Sequence, residues 1–343
     1  MSSISQNIHI SIPYMVITYS CYLFYEISEI MEEIHVRRHF MNRQEKRGIV
    51  EILIGSVLWG TIGLFVLWMN GLGASSALIS FLRMAFAFII LLFMTLLLGG
   101  VRALFISRRA LFFSALLGFI CQGLYNVFYN RAIVEIGMTM SAVFLNTAPV
   151  CTLTAAHFLL KESLTIRKLN ALLLCIAGCV LTVTDGHLSL SDFSPYGIVC
   201  GILSGMTYGM TSIFGRMAGE KTNIWAMSTY SYFFASLFLL ACDPDVLSEA
   251  GNISIAFAGF LYALFPTALA YVIYYKGVQK IRENSKVPVI ASAETITASL
   301  LGALLFHETL QPLQYMGMGL IFLSILLMNG KLFHVKQCSR TAG

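Results

Sequence analysis

Ten uninterrupted apolar stretches, each close to the length that crosses a bilayer, account for most of this chain. They fall at 48–69, 75–97, 109–131, 138–160, 168–185, 195–215, 224–242, 253–276, 286–306 and 311–330. A run of about 20 apolar residues is the expected helical spanning unit. Barrel strands would instead alternate apolar and polar residues over about 10 positions, and these runs do not alternate. Charge supports the same class: 11% of the residues are charged, against roughly 25% in a soluble domain. The sequence therefore predicts an all-α integral membrane protein with ten transmembrane helices.

The basic residues set the expected orientation. Of the 22 lysines and arginines, 20 lie before the first span, after the even-numbered spans or in the tail. Such residues mark the cytoplasmic side, so both ends of the ten-helix unit are expected there, in the plasma (inner) membrane. The opposite loops hold Arg131 and otherwise acids such as Asp185, Asp192, Asp243, Asp245 and Glu249.

One phrase occurs twice. FLLKESLT (158–165) follows the fourth span and LLFHETLQ (304–311) follows the ninth, placing Glu162 and Glu308 146 positions apart. GSVLWGTIGLF (55–65) likewise matches SGMTYGMTSIF (204–214), pairing Trp59 with Tyr208, and FYNRA (128–132) echoes IYYKG (273–277). The repeated unit is thus five helices, and an odd number inverts the second copy. The predicted organisation is a 1–47 extension and basic segment, repeats at 48–185 and 195–330, and a 331–343 tail. The acidic-flanked stretch 8–27 fits an additional membrane helix, or else synthesis starts at Met41. Inverted repeats are an architecture of secondary transporters, with the site at the repeat interface.

Five-plus-five inverted helices, the basic start and the doubled Glu-hydroxyl-Leu phrase together resemble the EamA-type transporters of the drug/metabolite transporter superfamily. Matching positions are Arg83 (SFLRMAFAF), Pro149 (NTAPV), Glu162, Glu308 and Glu294 (SAETITASL). The chain departs from the family at Thr295, where proline is common, which removes the sequence signal for a kink in the ninth helix. The resemblance implies export of amino acids, other metabolites or toxic compounds without naming the cargo.

Within the spans, Arg83 and Glu294 are the charges to explain, since a charge at the helix centre costs roughly 2.5–3.5 kcal/mol even on translocon scales. Both are expected near the midplane. Arg83 is a candidate to organise or gate a cavity or attract a carboxylate, and Glu294 to bind an ammonium or accept a coupling proton; the competing reading is a structural contact between two helices. Gln122, Tyr125, Asn126, Tyr129 and Asn130 form a polar stripe at helical spacing, expected to face a cavity or another helix. Trp59, Tyr208, Tyr230, Tyr232 and Tyr262 are candidate aromatic lining, or members of the interfacial belt. Pro149 and Pro266 are candidate hinges. Gly197, Gly201, Gly205 and Gly209 form a small-residue packing ridge. Glu162 and Glu308 read as structural, each tethering an interhelical turn.

Nothing in the sequence calls for a cofactor, a metal or nucleic acid. Cys175 and Cys179 share a helix face without a completing ligand, and no Gly-Lys-Ser/Thr loop occurs. The expected partners are a small solute, the lipid bilayer and a coupling proton, with a homodimer left open. The leading functional reading is an exporter of a small amphipathic metabolite, amino acids first. Uptake of a related solute, a membrane-embedded enzyme and a non-transporting sensor or scaffold are the alternatives.

Overall fold

The computed structural model describes residues 43–184, 194–219, 222–249, 251–306 and 310–329. The segment 8–27, Met41, Glu308 and the tail lie outside these residues. Among them run nine helices long and apolar enough to span a membrane: α1 (Arg43–Gly71), α2 (Ser76–Gly99), α3 (Arg108–Ile136), α4 (Met140–Leu160), α5 (Ile166–Thr184), α6 (Pro195–Met217), α7 (Ile224–Cys242), α8 (Ile253–Lys280) and α9 (Asn284–Leu305). A shorter apolar helix, α10 (Pro312–Met328), follows. The expected loop at Arg131 is absent: α3 stays helical through that residue to Ile136, because helical backbone continues past the apolar stretch that hydropathy detects.

The packing pairs obey the exchange of one repeat for the other. If α1 corresponds to α6, α2 to α7, α3 to α8, α4 to α9 and α5 to α10, then α1 against α8 should mirror α6 against α3, and α1 against α9 should mirror α6 against α4. All four contacts occur. Among the other extensive contacts, α3 against α7 mirrors α8 against α2, and α2 with α7 and α5 with α10 each join an element to its own mate. The bundle is therefore two interlocked five-helix repeats rather than two separate domains. Small residues permit the close crossings. At Gly178, in α5, an added Cβ would sit 2.7 Å from Gly317 O and 2.8 Å from Ile321 N of α10. Leu97, Phe93 and Phe158 are exposed on the outside, where lipid chains would cover them.

The helices that meet at the centre are not straight. Within α1, Thr61 separates Arg43–Gly60 from Ile62–Gly71. In α4, Asn146 and Thr147 interrupt the helix before Ala148–Leu160. In α9, Ser292 divides Val287–Ala291 from Ala293–Phe306. At each break a hydroxyl folds back onto a carbonyl three residues earlier: Thr61 to Leu58 O and Thr147 to Phe144 O at 2.7 Å each, Ser292 to Val289 O at 2.6 Å. Such back-bonding competes with the helical ladder and bends helices. The ninth helix is thus interrupted although Thr295 stands where proline is common.

The third and eighth helices each contain a wider-wound π segment, Leu117–Leu124 and Leu264–Leu269. Only the latter holds a proline, Pro266, so proline alone does not produce the feature. Pro149 lies in the first turn of Ala148–Leu160, where its missing N–H costs little.

Candidate functional site

The breaks in α4 and α9 frame a central recess. Its walls include Asn146, Pro149 and Thr152 of α4, Tyr208 and Ser212 of α6, Tyr274 of α8, and Ser292 and Glu294 of α9, around a cavity of about 30 Å³. That is room for a water or two, so a solute would enter only as the helices around the two breaks move apart. Glu294 is partly buried and sits in the first turn after the α9 break. Its Oε2 accepts a hydrogen bond from the Tyr208 hydroxyl at 3.3 Å. The backbone of α1 comes up behind it: a Cβ on Gly60 would meet Thr297 Cβ at 2.5 Å and Glu294 O at 3.1 Å.

Aromatic rings build the surroundings. The Trp59 ring lies 4.7 Å from both Tyr271 and Tyr274 and 6.3 Å from Tyr208. Tyr208 is 5.4 Å from Tyr125, which stacks on Tyr129 at 5.7 Å. Arg83, Tyr125, Tyr129, Tyr208, Tyr271, Tyr274 and Cys179 are among the charged or titratable side chains around Glu294.

Arg83 is 5% exposed and does not line the recess. Its Nε donates to Thr267 Oγ1 at 3.2 Å, one N–H donates to the Tyr262 hydroxyl at 3.3 Å, and the guanidinium lies over the Tyr262 ring at 5.3 Å. Thr267 belongs to the π segment of α8, so this segment supplies the arginine's acceptor. Pi segments inside α-helices frequently mark functional places. No ion pair joins Arg83 to Glu294 among the described residues; the two charges are held by different helices.

The polar stripe of α3 divides between two neighbours. Asn126 and Asn130 face α2: Ser80 Oγ donates to Asn126 Oδ1 at 3.3 Å, and Asn130 Nδ2 donates to Ser80 Oγ at 3.3 Å. Asn126 also donates to Gln122 O at 2.6 Å. Tyr125 and Tyr129 turn to the aromatic group instead. Gln122 is buried within the π segment. Tyr230 lies elsewhere, its hydroxyl donating to Leu104 O at 3.1 Å. Tyr262 stacks on Phe65 at 5.6 Å beneath Arg83, and Tyr232 packs edge-on against Tyr271.

Tyr271, Tyr274, Asn146, Thr152 and Ser292 are site residues that the sequence reading did not single out. A signal for one was present, because the FYNRA–IYYKG match makes Tyr274 the repeat mate of Tyr129.

One end of the bundle is latched by charge. The carboxylate of Glu162, at the end of α4, accepts from Asn284 N, from Ser285 N at 3.2 Å and from Ser285 Oγ at 2.6 Å. The sequence places Glu162 at its own interhelical turn; the fold also uses it to satisfy the first amides of α9, orphan donors at any helix start. Lys168 stands 3.5 Å from both Glu162 and Glu283. Lys286 reaches Glu45 at 3.1 Å and Glu283 at 3.3 Å, and Lys280 pairs with Glu51. Asn284 Nδ2 donates to Ser212 Oγ at 2.9 Å, so this latch borders the recess. Partial burial opposes charge on Glu283, but Lys286 and Lys168 outweigh it and hold its carboxyl below the ordinary glutamate range.

Comparison with known proteins agrees with this architecture. An uncharacterized transporter of Archaeoglobus fulgidus is 27% identical over 280 residues, covering 82% of this chain and 95% of that protein. The uncharacterized inner membrane transporter YicL of Salmonella typhimurium is 24% identical over 289 residues, covering 83% of this chain and 95% of its own length. A solved crystal structure superposes with a TM-score of 0.69 at 15% identity over 82% of this chain and 98% of that one, a likeness of fold. The model of the EamA-like transporter family matches twice, at residues 46–184 and 195–330. With both halves of its inverted bundle matched, the chain belongs to the EamA-like transporter family.

Proposed function

We propose that this transporter exports a small amphipathic solute across the plasma membrane by alternating access around the recess between α4 and α9, with Glu294 as the group that meets the solute or a coupling proton. The observation that carries this reading is a partly buried carboxylate lining a central recess directly after a helix break. Intramembrane ionisable groups that face a cavity mark solute and ion pathways, and interrupted helices at the repeat interface are where secondary transporters place their sites.

The latched end gathers the start of α1, the α4–α5 and α8–α9 connections and Arg216, whose guanidinium donates to Ile281 O. These are the lysine- and arginine-rich segments, so the latch is assigned to the cytoplasmic side. Opening towards the cytoplasm would release Glu162 from the start of α9 while the recess closes on its other side. Amino acids, the cargo expected from the sequence, find a partner here for the ammonium in Glu294; Arg83, the expected partner for the carboxylate, is engaged by Tyr262 and Thr267.

Counterflow in sealed liposomes tests the reading. Purified protein loaded with an unlabelled panel of amino acids and amines should accumulate the matching labelled solute, and Glu294→Gln should remove that accumulation. Equal accumulation in protein-free liposomes, or an unaffected Glu294→Gln variant, would contradict it.

A further inference from the structure

The lining of the recess narrows the cargo further, an inference that rests on the transporter reading above. Among the described residues of its wall, Glu294 is the one acidic or basic side chain, and no lysine or arginine joins it. The lysines nearest the latch are occupied with Glu162, Glu283 and Glu45.

Several of the wall's neutral donors are committed to protein acceptors, although the buried Thr211 hydroxyl has no hydrogen-bond partner among the described residues. Thr152 Oγ1 is within hydrogen-bond distance of Gly209 O at 2.6 Å and of Ala148 O at 3.1 Å. Asn146 Nδ2 donates to Ala142 O at 2.8 Å, and Ser292 Oγ donates to Val289 O. The Tyr208 hydroxyl is directed to Glu294 itself. A carboxylate entering this space would lose its hydration without gaining a cation, which leaves a buried charge uncompensated.

An ammonium meets the opposite situation. Glu294 supplies the counter-charge, and Tyr208 and Tyr274 supply ring surface backed by Trp59. Aromatic faces attract cations, and rings grouped around an ammonium are a recurring means of recognising amines. We propose that the recess takes organic monocations: amines with an aromatic or other apolar body and no carboxylate, seated with the ammonium against Glu294.

Three ligands with one indole ring separate the possibilities: tryptamine, tryptophan and indole-3-propionate. Binding to the full-length protein in lipid nanodiscs is measured by calorimetry at neutral pH, with phenethylamine and benzyltrimethylammonium as further amines. Tryptamine should bind, tryptophan should bind at least about tenfold more weakly, a difference of roughly 1.4 kcal/mol, and indole-3-propionate should not bind. This comparison uses the wild-type chain, so it stands whether or not a variant folds. Folded Glu294→Gln should lose about tenfold or more of the tryptamine affinity.

Tryptophan equal to or tighter than tryptamine overturns the proposal, as does failure of every amine to bind. If tryptophan wins and Glu294→Gln weakens it, the recess remains the site and only the cargo class is wrong. If counterflow of some solute proceeds unchanged in Glu294→Gln, the assignment of the recess falls as well.

Discussion

The breaks in α4 and α9 are the same structural event used for different ends. Asn146 and Ser292 stand 146 positions apart, the spacing that separates Glu162 from Glu308, and the helix stops beside each. Two residues further on, the chemistry diverges: Ala148 in the first copy, Glu294 in the second. Ala148 is buried, and its carbonyl lies 2.7 Å from a Cβ built on Gly209 of α6. Both border the recess, and Glu294 brings a carboxylate to it. Duplication supplied two interruptions; one became a packing surface and the other a charged wall.

The sharpest way to break this contrast is to neutralise the charge. Glu294→Gln keeps the size and the break but removes the feature that distinguishes α9 from α4. Solute counterflow should fall by on the order of a hundredfold, the loss expected when one partner of a desolvated charge pair is removed. Thermal unfolding should remain cooperative.

The latch comes next, because it acts on α9 and leaves the α4 break untouched. Glu162→Ala removes the acceptor for the first α9 amides and the counter-charge of Lys168, which is 5% exposed. A loss of about 2–3 kcal/mol is expected, combining a missing cap with a stranded lysine. Thermal unfolding measures it, and labelling of a cysteine placed at Ser212 should report a more accessible recess.

Gly205 and Gly60 sharpen the comparison further, since each carries the backbone of another helix past one break. A Cβ on Gly205 would sit 2.5 Å from Thr147 Oγ1, and one on Gly60 would sit 2.5 Å from Thr297 Cβ. Each alanine substitution should cost about 1–3 kcal/mol of stability by overpacking, whereas Gly319→Ala, with nothing within 4 Å, should be neutral. Only Gly60→Ala should also weaken solute binding, because it crowds the Glu294 turn.

The smallest effect concerns acid. The folded state holds the Glu283 carboxyl below its ordinary range, so its contribution is present above that range and fades as pH falls through the lowered value. Glu283→Gln should therefore reduce the thermal stability slightly at neutral pH and make no difference once the medium is acidic enough to protonate the wild-type residue.

Much of the architecture was legible from the residues. The apolar runs announced the ten helices, and the doubled Glu-hydroxyl-Leu phrase announced the inverted five-helix repeats, because both depend on short-range pattern. Arg83 and Glu294 stood out through the cost of placing charge in hydrocarbon. Their partners did not, since Thr267 and Tyr262 meet Arg83 only after α8 winds past α2. The π segments were equally hidden: the spacing of Gln122 and Tyr125 reads as one helical face until the wider turn separates them. Glu162 was expected to tether its own turn, but its partners at the start of α9 lie more than a hundred residues away, beyond any local motif.

The central claim is that Glu294 gives the second break its function. Counterflow of labelled benzyltrimethylammonium in sealed proteoliposomes, compared for wild type and Glu294→Gln, tests it most directly. Wild-type vesicles preloaded with the unlabelled cation should accumulate the label above the level of protein-free vesicles, and folded Glu294→Gln in equally sealed vesicles should not. Equal accumulation with the two proteins would contradict it.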